Sequence, residues 1–161
     1  VAVQVAGTNQ DIDNANAALT LAKLHELLDA VEGGAEVLFM SKAMRRELQK
    51  LLEGQQHYIQ VGKDAFGRPV SMFGDVQIRT FEDEILPFVS ADGIAPATSE
   101  IYALKFGAME HVSGLRNGGV NVRDLGELDT LPVFRTRIEF YCGLAIFKEK
   151  SIARLKNITR A

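Results

Sequence analysis

The chain has 161 residues, of which 47% are hydrophobic and 24% charged, and this length and composition suit one domain, or one domain with part of a neighbour. Its net charge of −3 argues against a broad basic surface for nucleic acid. No apolar run reaches the roughly 20 residues of a membrane helix, and no signal peptide is visible. We therefore predict an intracellular protein with neither a sequence-specific nucleic-acid partner nor a membrane partner.

The first fifteen residues predict a strand and a connector. Val1, Val3 and Val5 alternate with smaller or polar residues, the period-2 pattern of a half-buried strand. The polar run GTNQDIDNAN then predicts a connector, in which Asn14 or Asn16 caps the helix that follows. Because the pattern begins in mid-strand and without a methionine, we expect the sequence to be a fragment of a longer chain.

Two amphipathic helices are predicted on either side of a buried strand. Apolar residues at helical spacing predict the first helix from Ala17 to Val31. The continuous apolar run Val37 to Met40 predicts a buried strand. Ser41 follows it and is placed to cap a second helix from Lys42 to Leu52.

Strands and turns dominate from Gly54 onward. Gly74 and Asp75 favour a tight hairpin turn between two of the predicted strands. Residues 81–98 contain two prolines and predict an exposed loop. The strands predicted in this stretch are Tyr58–Val61, Val70–Phe73, Val76–Thr80, Ser99–Phe106 and Val120–Leu125.

The segment from Val133 to Phe147 alternates polar and apolar residues for about fifteen positions. Apolar side chains lie on one side, and Arg135, Arg137 and Glu139 lie on the other. At about 3.3 Å per residue an unbroken strand would span about 50 Å, whereas typical strands have only about five or six residues. The pattern predicts an elongated molecule, with a bend at Gly143 as the alternative.

The candidate reactive residues do not form a catalytic pattern. The sequence lacks GxSxG, phosphate-loop, HExxH and dinucleotide motifs. The acidic run FEDE at 81–84 offers ligands for a hard cation, but a solvated loop is the better interpretation. His25, His57 and His111 are far apart in sequence, with no nucleophile paired to them. Cys142, the single cysteine, lies in the apolar run FYCGLAIF and is expected to be buried. We predict no catalytic residue, no metal site and no cofactor.

Two segments resemble the major capsid proteins of tailed phages, the family typified by the Hong Kong 97 phage. The first is ALTLAKLHELLDAVEGGAEVLFMSKAMRRELQKLL with the hairpin GKDAFGRPVSMFGDVQIRTF, where Phe66-Gly67, Pro69-Val70 and Gly74 match the family pattern. The second is SEIYALKFGAMEHVSGLRNGGVNVRDLGELDTLPVFRTRIEFYCGLAIFKEKSIARLKNI. One departure is Asp75-Val76-Gln77, where many members carry Pro or Val-Pro. Encapsulin shells share this architecture.

The resemblance implies an α+β fold of the Hong Kong 97 phage capsid type, a mixed sheet flanked by helices with a long terminal strand. Residues 1–15 would be a strand and connector entering from a missing upstream part. Residues 16–132 would form an axial-type α+β domain. Residues 133–161 would be the long strand and a closing helix, about Lys148 to Leu155, of a peripheral-type domain.

The resemblance also implies a function, which is that of a structural subunit and not an enzyme. Copies of the chain would form pentamers and hexamers of an icosahedral phage or prophage shell that encloses DNA, with scaffolding or portal proteins as further partners. Assembly would occur in the bacterial host cytoplasm, and the product would be the virion capsid. The predicted subunit-contact residues are Arg116, Arg123, Asp124, Arg135, Arg137 and Glu139. The alternative for these residues is a solvated face, or one paired within the subunit.

Three other functions stay open at this point. One is an encapsulin-like protein shell, and another is an α/β enzyme or ligand-binding domain, which would require a pocket of converging acids or bases. The third is a different phage component, such as a tail or head-joining protein. If the shell function is right, we expect this sequence alone not to assemble, because in the family an amino-terminal arm and extended loop supply contacts between neighbours.

Overall fold

The structure is a computed structural model that describes residues 10–54, 60–63, 69–89, 97–128 and 130–160. In chain order the strands are β1 Asp11–Ala18, β2 Val37–Ser41, β3 Gln60–Lys63, β4 Pro69–Phe73, β5 Val76–Phe81, β6 Thr98–Leu104, β7 Val112–Arg116, β8 Asn121–Leu128, β9 Leu131–Glu139, β10 Cys142–Ile146 and β11 Ile152–Thr159. The helices are α1 Leu21–Asp29 and α2 Lys42–Gly54, and a 3-10 turn spans Glu149–Ser151.

A mixed seven-stranded sheet forms the centre of the fold, with strand order β1-β11-β6-β2-β5-β4-β3. The β1–β11 and β2–β5 pairs are parallel, and the other neighbours in this sheet are antiparallel. Two further sheets have two strands each, β10–β7 and β8–β9. The chain is thus a helix-bearing sheet with separate β-ribbons.

One face of the large sheet buries the core against the helices, because strand side chains alternate between the two faces. α1 packs on β11, and α2 packs on β2 and β5. Fully buried side chains from both helices and from the central strands form one cluster. Its largest members are Leu24, Leu27, Leu38, Met40, Met44, Leu48, Ile101, Leu155 and Ile158.

The second helix confirms the sequence prediction. The Ser41 hydroxyl is buried and accepts a hydrogen bond of 3.1 Å from the backbone N–H of Met44. This is the N-cap geometry, which satisfies one of the free donors of the first turn. The predicted strand before it is β2, and Gly74-Asp75 joins β4 to β5 as expected, with Phe73 opposite Val76.

The first helix begins four residues later than predicted, because the polar connector is itself a strand. Residues 11–18 form β1, which pairs in parallel with β11 from the other end of the chain. Asn14 caps no helix, and its Nδ2 donates instead to the carbonyls of Ala17 and Ala18 at 2.6 and 3.2 Å. The N-cap of α1 is Thr20. The predicted strand at residues 1–5 lies outside the described residues.

The long terminal strand is wrong as predicted. The alternation belongs to two strands, β9 and β10, which are separated at Phe140 and Tyr141 and pair with different partners. Gly143 is not the breakpoint, since it lies within β10 opposite Leu115. A period-2 pattern continues through such a break, because it records the pleat and not the identity of the neighbouring strand.

The closing helix is also wrong. Only the 3-10 turn Glu149–Ser151 is helical, and the strand β11 follows it, lying between β1 and β6. Ile152 and Leu155, which a helical spacing would place on one side, are both buried, but they lie on opposite faces of β11, and only Leu155 belongs to the core cluster. A spacing of three between buried residues mimics a helical period, so burial on both faces of β11 explains why the sequence pattern misleads.

Several smaller predictions can be judged. The glycine-punctuated stretch after His111 contains an unpredicted strand, β7. Cys142 is exposed, so its predicted burial is wrong. Among the described residues β10 pairs with β7 alone, and this two-stranded sheet leaves the Cys142 side chain exposed. Of the strand predicted at Tyr58–Val61, Tyr58 and Ile59 lie outside the described residues.

Candidate assembly surface

The β8–β9 ribbon is the most exposed apolar structure in the described part of the chain. Its two strands form a sheet of their own, with no third strand among the described residues. Phe134 is 74% exposed, Ile138 69% and Val122 60%. A two-stranded ribbon with uncovered apolar side chains is marginally stable alone in water. The ribbon is therefore a candidate for contact with another surface.

The register of the ribbon sorts its side chains into two faces, because residues directly opposite each other project to the same side. Val122 lies opposite Ile138, and Arg123 opposite Arg137. A bulge at Gly126, where φ is 77°, lets Glu127 lie opposite Phe134. We call the first set the acidic face: Val122, Asp124, Glu127, Phe134, Thr136 and Ile138. We call the second set the arginine face: Asn121, Arg123, Val133, Arg135, Arg137 and Glu139.

The arginine face holds like charges together. Arg123 and Arg137 are cross-strand partners, and like charges in that position are destabilising. Arg137 is partly compensated, since its Nε lies 2.6 Å from Oε1 of Glu139. Arg123 and Arg135 form no ion pair with any described residue. An anionic surface placed against this face would relieve the repulsion.

The structure brings together five of the six predicted contact residues. Arg123, Asp124, Arg135, Arg137 and Glu139 all belong to the β8–β9 ribbon, although Asp124 lies on the opposite face from the other four. Arg116 belongs to the β7–β10 ribbon, where it pairs with Cys142 beside a cavity of about 430 Å³. The alternation in sequence predicts strands with two faces, and these five residues lie on the two paired strands of one ribbon.

The apolar members of the ribbon were missed as contact residues. Val122, Phe134 and Ile138 have the period-2 pattern of a core strand, so the sequence favours burial inside the subunit. The structure leaves them uncovered because no described element lies over them. A sequence signal for this is hard to find, since the same pattern serves an internal core and an interface between chains.

Two polar contacts connect the ends of the β7–β10 ribbon to the region of the large sheet. Nδ1 of His111 lies 2.9 Å from the buried hydroxyl of Ser151. The ammonium of Lys148 donates to Glu32 at 2.6 Å, and this hydrogen bond holds the pKa of the Glu32 carboxyl below its ordinary value. These contacts link the ends of β7 and β10 to the α1 and β11 region.

A cluster of charged and polar side chains lies on the face of the large sheet opposite the core. Arg154 holds Asp11 with two hydrogen bonds of 2.9 and 3.1 Å, and Lys156 adds a third of 2.9 Å. The Arg154 hydrogen bond lowers the pKa of the Asp11 carboxyl most. Burial, together with a hydrogen bond to Glu100, raises the pKa of Tyr102 to about 12. These pairs connect β1, β11 and β6 across the sheet.

An acidic groove adjoins this cluster. The adjoining groove of about 470 Å³ is lined by Asp11, Asp13, Glu26 and Asp29, with Lys23 as its one cation. Within the described ranges, no three His, Cys, Asp or Glu side chains are grouped so that they could hold a metal ion. Neither α1 nor α2 has the length and apolar character needed to cross a membrane, and the described ranges contain no longer helix.

Among known proteins, this chain is similar to a solved structure but matches no family model or curated protein. No protein-family model matches the chain, and no curated protein does. Among solved structures, the chain is similar to a chain of the holo-SrpI encapsulin complex from Synechococcus elongatus PCC 7942, with a TM-score of 0.76 and 19% sequence identity. The likeness covers 95% of this chain and 54% of that chain, so this chain spans about half the length of the encapsulin chain.

At this identity the likeness establishes a shared fold. The mixed sheet with two helices matches the encapsulin chain at a coarse level, and it agrees with the α+β capsid-type fold that the sequence resemblance implies. The likeness does not favour a phage protein over an encapsulin. The division at residues 15/16 and 132/133 stays a prediction.

Proposed function

We propose that the chain is a structural, non-catalytic subunit that assembles with copies of itself into a closed protein shell. The uncovered two-faced ribbon carries the proposal, because its exposed apolar and charged side chains suit repeated contacts. Closed symmetric assembly adds many contacts that are individually weak. The shared fold with an encapsulin chain supports the same proposal.

The finer identity of the shell has two candidates. A phage or prophage capsid, assembled in a bacterial host and carried in the virion, is supported by the hairpin and terminal segments that resemble tailed-phage capsid proteins. An encapsulin-like shell is supported by the structural likeness. The net charge of −3 suits either, since a mildly anionic wall does not grip DNA.

Assembly of the full-length protein tests the proposed function. After expression in bacteria, size-exclusion chromatography and negative-stain electron microscopy are expected to show closed shells, or rings of five and six subunits. A protein that remains monomeric at high concentration would contradict the proposal.

The contents of the particles then distinguish the candidates. Phage-like assembly with its packaging partners predicts DNA protected from added nuclease. Encapsulin-like assembly predicts that shells form from the single protein without such DNA. The measurement is the nucleic-acid content of nuclease-treated particles, with particles lysed before nuclease treatment as the control.

A further inference from the structure

The two faces of the β8–β9 ribbon have opposite charge. The acidic face has two carboxylates, Asp124 and Glu127, and no cation. The arginine face has three guanidinium groups and one carboxylate, which already contacts Arg137. Each face also carries exposed apolar side chains, including Phe134 on the acidic face and Val133 on the arginine face. The faces are therefore complementary to each other, although they lie back to back on one ribbon.

We propose that the ribbons of adjacent copies stack, with the acidic face of one copy against the arginine face of the next. The occupant of each face is thus a second copy of this chain. Such contact buries Val122, Phe134 and Ile138, and it places carboxylates opposite the Arg123–Arg137 pair. The inference rests on the proposed function, for which it names the contact surfaces and their polarity.

A contact between unlike faces is heterologous, and this determines the kind of assembly. Because the acidic and arginine faces differ, each copy can bind two neighbours, and the contact repeats from copy to copy instead of stopping at a dimer. It forms a closed ring when the rotation between neighbours divides a full turn. Stacking of like faces would instead oppose arginine to arginine, which is unfavourable. Charge thus selects the head-to-tail arrangement.

The size of each face explains why closure is needed. Nine residues at about 3.3 Å per residue give a ribbon about 30 Å long, and two strands with their side chains are about 10 Å wide. The resulting footprint is small beside the roughly 800 Å² per partner of a standard stable interface. An isolated pair of copies is therefore expected to associate weakly, whereas a closed ring, which combines several such contacts, is expected to be stable.

Cross-linking tests the pairing of faces directly. Two variants of the full-length protein carry a single cysteine on the ribbon in a Cys142→Ser background, Thr136→Cys on the acidic face and Val133→Cys on the arginine face, both at exposed positions. The two are tagged to differ in mass, co-expressed and treated with a bismaleimide reagent of about 10 Å span, the spacing of stacked sheets. We expect heterodimers to exceed both homodimers several-fold.

The outcomes separate this inference from the proposed function. Predominant homodimers, or no cross-linking above a diluted control, would overturn the stacking even if shells form. Heterodimers from a protein that forms no shells would support the stacking and contradict the shell function.

Charge reversal provides a second, independent measurement. Reversing the acidic face with Asp124→Lys and Glu127→Lys is expected to weaken self-association, and so is reversing the arginine face with Arg123→Glu, Arg135→Glu and Arg137→Glu. The double variant, with both faces reversed, is expected to regain it, because the two faces then again have opposite charge. Arg46→Glu and Glu53→Lys on α2 are matched controls, both at exposed positions. Equal association of all the variants would contradict the inference, as would a folded double variant that remains dissociated.

Discussion

At the scale of single residues, Asp11 ties the two ends of the described chain together. Its carboxylate accepts hydrogen bonds from Arg154 and Lys156, while its side chain is only 26% exposed. Hydrogen bonds to charged groups contribute more than neutral ones, because the partly buried charges have lost water. Substitutions in this cluster therefore measure how much the β1–β11 pairing contributes to the free energy of unfolding.

Asp11→Asn is expected to lower the free energy of unfolding at neutral pH by about 2 kcal/mol. Since the fold lowers the pKa of Asp11, its stabilisation is present above the ordinary carboxyl range and is lost as pH falls through the lowered pKa. The difference between wild type and variant should thus shrink below about pH 4. Urea denaturation at several pH values measures it.

Asp75→Asn is the matched control, since Asp75 lies in the β4–β5 turn and forms no ion pair with a described residue. It is expected to change stability by less than about 0.5 kcal/mol. An Asp11→Asn deficit that stays constant down to pH 2 would show that the carboxylate charge is not the cause.

The two helix caps give a second prediction for single residues. Ser41→Ala is expected to cost about 1 kcal/mol, because the buried hydroxyl accepts a bond of 3.1 Å from Met44. Thr20→Ala should cost less, since its bond from Lys23 is longer, 3.4 Å, and exposed. Thermal unfolding followed by circular dichroism compares them, and equal losses would contradict the geometric argument.

At the scale of elements, stability resides in the large sheet and not in the ribbon. Ile101 in β6 is fully buried, whereas Ile138 in β9 is 69% exposed. Ile101→Ala is expected to cost between about 2 and 5 kcal/mol by leaving a cavity. Ile138→Ala should cost less than about 0.5 kcal/mol in the unassembled protein.

The same pair of variants distinguishes folding from assembly. Urea denaturation of the unassembled protein measures the first, and size-exclusion chromatography the second. Ile138→Ala is expected to weaken association while leaving the fold stable. A large loss of folding stability in Ile138→Ala would mean that the ribbon is already covered within one subunit.

Some helices and strands can be predicted from local sequence patterns and others cannot. Ser41, the run before it and the Gly74-Asp75 turn are local signals, and they predict β2, α2 and the β4–β5 hairpin. The strands β1 and β11 pair although they lie at opposite ends of the described chain, so neither the polar residues of β1 nor the apolar spacing of β11 identifies them. The missed elements are those stabilised by distant partners.

For the candidate surface, the sequence indicates which side of each strand the charged residues occupy, while their role in subunit contacts stays a prediction. Arg123, Arg135, Arg137 and Glu139 were expected on one polar side of alternating strands, and the β8–β9 register places them on one face. Phe134 and Ile138 could not be assigned to an interface, because burial inside a subunit and burial between subunits require the same side chains. What separates the two is that no element in the described ranges covers Phe134 or Ile138.

At the scale of the whole molecule, the fold is a stable sheet domain joined to ribbons that it does not cover. The fold is shared with an encapsulin chain, and with a net charge of only −3 the proposed assembly would depend on local charge patterns. The central claim is that neighbouring copies cover the β8–β9 ribbon.

Hydrogen exchange of the full-length protein tests that claim most directly, by comparing assembled particles with subunits dissociated under mild conditions. We predict that amides of Asn121–Leu128 and Leu131–Glu139 exchange quickly in free subunits and at least tenfold more slowly in particles, while those of the central strand β2 exchange equally slowly in both. Equally fast exchange of the ribbon amides in particles and in free subunits would contradict the account.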